Sequence, residues 1–275
     1  MSDPRRALEA IGQLPDVEID IGSAALQLAR VDAPDADWLA AERHLSELAR
    51  DAVDLATAFA GADVHERAAA LAGLLVDSYG YRGDAETYDD LANANLIRVI
   101  ERRRGLPVAL GVLWLHTARC AGWRCHGVDF PAHFLIALQD GGRQAVLDVF
   151  GGGQVLGSKD LRALLRRVEG PDAALRPGLL VPMNTRRVLL RLQNNIMTRR
   201  LQSGDIEGGL SCTEDMLLIA PDQAELWRQA GLLNQKLRRV VAAAGSYRRF
   251  LELVPKGATA DAVRAQLDIL KTMLN

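Results

Sequence analysis

Two short apolar segments each contain one side chain that is suited to proton transfer. His133 lies in the segment FPAHFLIAL, and Asp148 lies in the segment AVLDVFGGG. An imidazole can take up a proton near neutral pH, and a carboxylate that bonds the ring fixes its tautomer and orientation. These residue types are two members of a nucleophile–histidine–aspartate triad, which leaves a nucleophile to be found.

The spacing of the two segments predicts that both side chains lie on one face of a sheet. Three short segments rich in Val, Leu and Phe are predicted as strands: 125–130, 133–138 and 145–150. The residues QDGGRQ between the last two predict a hairpin turn. With that turn centred on Gly141 and Gly142, His133 lies opposite Phe150 and Asp148 is its diagonal neighbour.

A helix is predicted over 108–122, directly before the strands, and its start contains no nucleophile. The segment is apolar nearly all round, which is typical of a buried helix, and Gly122 would close it. In a papain-like core, a thiolate sits at the N-terminus of such a helix, where the helix dipole lowers its pKa. The residues at this position are Leu106, Pro107, Val108 and Ala109, which have neither a thiol nor a hydroxyl.

The three cysteines are not predicted to replace that nucleophile. Cys120 lies thirteen residues beyond Pro107, or about 20 Å along a helix, at the negative end of the dipole. We expect it to pack in the core. Cys125 begins a strand, where either packing or reactivity is open, and Cys212 is expected to pack between helices.

The rest of the first 180 residues is predicted to be largely helical. The helices are expected over 23–31, 38–60, 62–84, 86–103 and 158–170. Asp37 and Ser158 are the expected N-caps of the second and the last of these helices. The first 34 residues are assigned to an N-terminal segment.

The C-terminal part of the chain has an internal period. Pro221 and Pro255 are 34 residues apart, which is the length of a tetratricopeptide repeat. Leu217 and Leu251 agree in register with this period. Such units bury their apolar faces against their neighbours, and two helix pairs with an end helix over 259–274 fit the available length. We predict a helical-repeat domain over 181–275.

The ordered set of motifs resembles a known family. RRRGLPVALGVLWLHTARCAGW, GVDFPAHFLIAL and VLDVFGGG look like the SirB-type branch of the transglutaminase-like superfamily. The resemblance implies an α+β fold, in which a papain/transglutaminase-like core of one buried helix and a small antiparallel sheet occupies residues 35–180. It also implies tetratricopeptide-like repeats behind that core. His133 and Asp148 match the histidine and aspartate of the family pattern, and relatives often have Ser where this chain has Ala109.

Four further residues are candidates for ligand binding. Arg104 precedes the buried helix and, with the free N–H groups of the first turn, in which Pro107 and Ala109 lie, could form a site for an anion. The alternative is that Arg102–Arg104 are a solvated basic helix end. Asn93 falls where relatives often have Asn, and a capping or surface role explains it equally well.

Composition narrows the classes of partner and location. The formal net charge is −2, so no overall positive field favours nucleic acid. The start MSDPRRALEA lacks the apolar core of a signal peptide, and no apolar run is long enough to cross a membrane. We therefore expect a cytoplasmic protein that binds neither nucleic acid nor membrane. The histidine spacing matches no standard zinc pattern, so neither a metal nor a cofactor is predicted.

Three functional hypotheses follow. The first is a transglutaminase-like protein that lacks thiol chemistry and binds a protein or peptide through its cleft and repeats. The second is a slow amide or ester hydrolase, or acyl transferase, in which His133 acts as general base and Asp148 orients it. The third is a purely structural role, with the cleft retained for stability. The oligomeric state is not predicted.

Overall fold

The computed structural model describes residues 3–274, and side chains as far as residue 272, as an α+β protein. Its helices are α1 (Pro4–Gln13), α2 (Ile21–Asp32), α3 (Trp38–Ala58), α4 (Val64–Ala72), α5 (Leu96–Arg102), α6 (Pro107–Cys120), α7 (Ser158–Glu169), α8 (Thr185–Gln202), α9 (Ile206–Ile219), α10 (Ala224–Lys236), α11 (Val240–Leu253) and α12 (Ala258–Leu274). Its strands are β1 (Arg82–Gly83), β2 (Arg104–Gly105), β3 (Arg124–Phe130), β4 (His133–Asp140), β5 (Arg143–Asp148), β6 (Gln154–Val155) and β7 (Pro182–Met183).

The chain forms two compact units. One contains residues 15–192, and the other combines the first 14 residues with residues 193–275. This division differs from the predicted ranges 1–34, 35–180 and 181–275, because α1 packs on α9. At this contact the carbonyl of Leu218 leaves no room for a side chain at Gly12. The predicted domain ranges stay a prediction.

The sheet of the first unit confirms the predicted hairpin. Five strands lie in the order β6-β5-β4-β3-β7, and every neighbouring pair is antiparallel. Asp140 pairs with Arg143, so the turn is centred on Gly141 and Gly142 as predicted. Both glycines have positive φ, as a two-residue hairpin turn of this kind requires.

Helix α6 is the central helix of this unit. Every residue from Pro107 to Ala118 is buried, as the uniformly apolar segment predicts. The helix crosses the sheet at Gly111, where an added Cβ would lie 2.2 Å from the ring of Phe134. A glycine is therefore needed at this crossing, and the sheet holds the helix at a fixed distance.

Two of the predicted helices are shorter than expected. The segment predicted as a helix over 62–84 forms α4, continues in wider turns over Gly73–Ser78 and ends in strand β1. The segment predicted as a helix over 86–103 is a loop with one short 3-10 turn, followed by α5. The helical prediction was wrong there because Asp84 and Asp90 bond backbone N–H groups within the loop and β1 pairs in parallel with β2.

The predicted helix ends are confirmed in part. Asp37 accepts a hydrogen bond from the N–H of Ala40 and caps α3, as expected. Gly122 directly follows the C-cap of α6 and has a φ of 70°. Ser158 is not a cap: it is the first residue of α7, and Gly157 is the N-cap, with its N–H bonded by Asp160.

The second unit consists of antiparallel helices that match the predicted repeat. Helices α9 and α11 end at Ile219 and Leu253, each two residues before one of the prolines 34 residues apart. Successive helices pack on each other, and the core between α11 and α12 is formed by Tyr247, Phe250 and Val263 with their neighbours. Within the described residues, no helix is both long and apolar enough to cross a bilayer.

Candidate active-site cleft

His133 and Asp148 are in direct contact. His133 is the first residue of β4 and Asp148 the last of β5, and His133 Nε2 lies 3.0 Å from Asp148 Oδ1. Their side chains are 21% and 17% exposed, so the pair is largely buried but reachable from solvent. The sheet register that the sequence predicted therefore brings these two residues together.

The Asp148 carboxylate is held in its ionised form. Its Oδ1 also accepts hydrogen bonds from the N–H groups of Phe150 and Gly151, both at 3.1 Å. Burial raises the pKa of Asp148, but the bonds from His133 and the two backbone groups outweigh burial and bring the pKa below its ordinary value.

An ionised carboxylate only accepts hydrogen bonds, so the Nε2 of His133 must carry the proton. The neutral ring then has its lone pair on Nδ1. In the described part of the chain, no side chain or carbonyl bonds Nδ1. His133 is therefore an oriented imidazole with one basic nitrogen available to a ligand or a water.

The N-terminus of α6 lies at the same end of the sheet as His133. The Cys125 thiol donates to the carbonyl of Leu115 in the second half of the helix, whereas Gly111 packs on Phe134. Phe134 is adjacent to His133, and Cys125 lies at the other end of the β3–β4 pair. The helix axis therefore approaches His133 in the direction from Leu115 through Gly111 to Pro107.

A second connection runs through the loop after β5. The ring of Phe150 covers Gly83 so closely that an added Cβ would lie 2.5 Å from it. Gly83 pairs with Gly105 in the β1–β2 ladder, two residues before Pro107. The exposed Tyr88 packs edge-on against the same Phe150 ring, with the centroids 5.9 Å apart.

The start of α6 provides backbone N–H groups but no nucleophilic side chain. Leu106 is the N-cap and makes no side-chain hydrogen bond to the first turn. Pro107 and Ala109 are buried, and neither has sulfur or oxygen in its side chain. The first turn of α6 therefore provides neither a thiol nor a hydroxyl for nucleophilic attack.

Cys120 and Cys125 lie away from the His133–Asp148 pair. Cys125 pairs with Leu138, five positions along the ladder from the Phe130–His133 pair, which is about 17 Å at the rise of a strand. Burial raises the pKa of Cys125 to about 11 and that of Cys120 above its ordinary value. Both thiols are therefore protonated at neutral pH. Cys120 is only partly buried, and its packing in the core stays a prediction.

Asn93 positions the start of α6. It is fully buried, its backbone carbonyl accepts from the N–H of Leu106 at 2.8 Å, and its Nδ2 donates to the carbonyl of Thr87 at 2.6 Å. Its Oδ1 is buried without a hydrogen-bond partner among the described residues. The contacts give Asn93 a structural role in this structure, and ligand binding by it stays a prediction.

The three arginines before α6 contact different acceptors and do not form one basic cluster. Arg102 bonds Asp84 and Asp90, Arg103 bonds His44 and Tyr81, and Arg104 bonds the exposed Glu86 at 3.2 Å. The hydrogen bonds from Thr87, with those from Asn93 and Arg102, lower the pKa of Asp84 to about 2. The role of Arg104 in binding an anion stays a prediction.

Arg191 was not among the sequence-predicted residues. It lies on α8, donates to the main-chain carbonyl of His133 at 3.1 Å and pairs with Asp129. Its guanidinium also covers the ring of Phe134. Arg191 thus links α8 to the turn that precedes β4. A lone arginine in a helix 58 residues away gives no sequence signal of this contact.

No group of three or more His, Cys, Asp or Glu side chains suited to a metal ion occurs among the described residues. His116 and His126 lie with Arg119 around a cavity whose lining includes neither His133 nor Asp148.

Comparison with known protein families also divides the chain into a core and a helical repeat. Residues 40–194, more than half of the chain, match the transglutaminase-like superfamily. Residues 197–268 match the tetratricopeptide repeat. The chain therefore belongs to the transglutaminase-like superfamily, with tetratricopeptide repeats behind the core.

Similar proteins cover from 56% to 94% of the chain. A UPF0162 protein of Xylella fastidiosa strain Temecula1 is 29% identical, and the alignment covers 94% of this chain and 92% of that protein. A UPF0162 protein of Vibrio cholerae is 30% identical over 76% of this chain and 77% of its own length. The mouse F-box only protein 21 is 27% identical over 56% of this chain but only 25% of its own length.

Proposed function

We propose that the protein is a peptide- or protein-binding module of the transglutaminase-like superfamily that does not use covalent catalysis. One observation carries this proposal: an oriented His133–Asp148 pair lies at the end of the sheet where α6 begins, and α6 begins with Leu106, Pro107, Val108 and Ala109. The pair has a base but no thiol or hydroxyl to activate. We infer a location in the cytoplasm, where such a module would meet its partners.

The repeat unit provides a groove for a partner. A cavity of about 590 Å³ is lined by residues of α10, α11 and α12, among them the apolar Leu232 and Val263 and the ring of Tyr247. Arg228 and Lys236 also line it. An extended or helical segment with apolar residues and a nearby acidic residue would complement this surface.

The groove can be tested with two charge reversals. Lys236→Glu changes an exposed residue of the groove, and Lys256→Glu changes an exposed residue outside it. We would select peptides from a random displayed library on the full chain and measure their affinity by fluorescence anisotropy. The proposal expects binding to weaken in Lys236→Glu and to be unaffected in Lys256→Glu. Equal loss, or no loss, in the two variants would remove the groove from the proposal.

The cleft requires a separate measurement. Peptides that are selected on wild type should lose affinity in His133→Ala, with the fold checked by circular dichroism. The wild-type protein should give no turnover above buffer on fluorogenic amide, ester and glutamine-donor substrates. Turnover that depends on His133 would contradict the non-catalytic part of the proposal.

The second candidate is a slow amide or ester hydrolase or acyl transferase. It is favoured by the bond between His133 Nε2 and Asp148, because this bond leaves the other ring nitrogen, Nδ1, available to activate water. General-base catalysis of this kind contributes about 10²–10⁴-fold. For this candidate, both His133→Ala and Asp148→Asn should abolish measurable turnover while the protein stays folded.

A further inference from the structure

A second cavity lies in the first unit, beside the C-terminal half of α6. Its volume is about 660 Å³, which is in the range of small-molecule sites. It is lined by the residues 16–21, the side chains His116, Arg119 and His126, and residues 182–185. The start of α6 and the His133 cleft are at the other end of that helix, so this cavity is separate from the proposed binding cleft.

Arg119 is the positively charged group of the cavity wall. Its guanidinium is partly buried and donates to Thr185 Oγ1 at 3.1 Å. Among the described residues, no carboxylate lies within 4.0 Å of it. A partly buried guanidinium without a counter-ion has unused donors in a geometry that fits a carboxylate.

Two imidazole rings of the same wall also have unused hydrogen-bonding capacity. His126 Nε2 and His116 Nδ1 are buried, and neither has a partner in the described chain. The pKa of His126 is lowered by burial and then by the charge of Arg119, so its ring is neutral near pH 7. A polar ligand atom beside either ring would supply a bond that is now missing, which matters because an unsatisfied buried group is costly.

Part of the cavity wall is acidic. Glu18 and Asp20 are exposed there, and Asp20 Oδ2 lies 3.9 Å from His116 Nδ1. Asp16 is already engaged, since its two oxygens bond the N–H groups of Thr185 and Arg186. A plain anion would be repelled by this wall, whereas a ligand that also has an ammonium group would be attracted to it.

Part of the remaining lining is apolar. Ile21 and Met183 line the cavity and are 1% and 3% exposed. We propose that the cavity binds a small zwitterion of the amino-acid type, with its carboxylate on Arg119, its ammonium near Glu18 and Asp20, and an apolar side chain against Ile21 and Met183. This proposal concerns a separate site and does not depend on the function of the His133 cleft.

Three matched probes test the proposal on the full chain by isothermal titration calorimetry. Norleucine has both charged groups and an apolar side chain, hexanoate lacks the ammonium, and pentylamine lacks the carboxylate. We expect saturable binding of norleucine and affinity at least about 10-fold lower for each of the other two, because each lacks one charge-assisted contact. Hexanoate binding as tight as norleucine, or no saturable norleucine binding up to roughly 10 mM, would overturn the proposal.

Two variants locate the binding. Arg119→Gln keeps a donor for Thr185 but loses the charge, and should weaken norleucine about 10-fold or more. Arg124→Gln changes an exposed arginine outside the cavity and should have no effect. Unchanged norleucine affinity in a folded Arg119→Gln protein would overturn the assignment.

The acidic wall supplies a test that holds even if Arg119→Gln does not fold. The double variant Glu18→Gln with Asp20→Asn changes two exposed side chains, and asparagine keeps the ability of residue 20 to cap α2. We expect it to weaken norleucine and to leave hexanoate binding unchanged or stronger. Equal norleucine affinity in this variant and wild type would contradict the proposed placement of the ammonium.

Discussion

His133 Nε2 bonds the same Asp148 oxygen, Oδ1, that accepts the backbone N–H groups of Phe150 and Gly151. The carboxylate thus joins the start of β4 to the turn after β5, while it fixes the imidazole. The Asp148 side chain therefore stabilises both the proposed binding cleft and the local fold around it. Its protonation should therefore be visible in the stability of the whole unit.

The first prediction concerns Asp148→Asn and pH. The folded-state pKa of Asp148 is below the value for an unfolded chain, so its contribution to stability is present above about pH 4 and is lost as the pH falls through the folded pKa. At pH 7 we expect the variant to be less stable by about 1–2 kcal/mol, because an amide is a weaker acceptor for three donors. Urea unfolding at several pH values measures the difference, which should shrink on acidification. A constant difference from pH 7 to pH 3 would show that the ionised carboxylate is not the stabilising form.

The second prediction concerns the turn that presents His133. Phe130 pairs with His133, so Pro131 and Ala132 are the central residues of a two-residue turn, and Ala132 has a φ of 50°. This position favours glycine, since an L-residue there costs about 1–2 kcal/mol, partly offset by the greater unfolded-state entropy of glycine. We expect Ala132→Gly to raise the unfolding free energy by about 0.5–1 kcal/mol in chemical denaturation. A loss of stability would show that the Ala132 methyl group makes contacts that outweigh the strain.

The central sheet could be predicted from the sequence because its information is local. The turn residues Gly141 and Gly142 fix the register, and an antiparallel register places Asp148 diagonally across from His133. The repeat could be predicted because the proline spacing reflects helix pairs of constant length.

The region before α6 could not be predicted because its conformation depends on distant contacts. The helical pattern of residues 86–103 is overridden by side-chain bonds from Asp84 and by the pairing of β1 with β2. The site residue Arg191 was missed for a related reason. Its contact with His133 depends on the direction in which α8 leaves the sheet, and no residue type near position 191 indicates that direction.

The third prediction tests the glycines after β5. Gly153 has a φ of 79°, and an added Cβ would lie 2.2 Å from the buried ring of Trp114. Gly152 has a φ of 80°, but no atom lies within 4 Å of its added Cβ. Gly153→Ala should cost about 3 kcal/mol from strain and overpacking, and Gly152→Ala about 1 kcal/mol from strain alone. Thermal or urea unfolding compares the two variants. Similar losses would mean that Trp114 can move aside, and that the glycine run does not hold the loop against α6.

The fourth prediction concerns the packing of the repeat helices. Gly231 on α10 faces the ring of Tyr247 on α11, and an added Cβ would lie 2.3 Å from that ring. Gly245, also on α11, is exposed and has no atom within 4 Å of its added Cβ. Alanine favours a helix over glycine by about 0.5–1 kcal/mol at both positions, but at Gly231 the clash costs about 1–3 kcal/mol.

Gly245→Ala should therefore stabilise the protein and Gly231→Ala should destabilise it. Because Tyr247 also lines the groove of the repeat unit, Gly231→Ala should in addition weaken peptide binding there, whereas Gly245→Ala should not. Hydrogen exchange of the α10 and α11 amides, together with the anisotropy assay, measures both effects. Stabilisation by both substitutions would mean that the two helices can separate to admit a methyl group. In that case, the Tyr247 ring would not hold a fixed place in the lining of the groove.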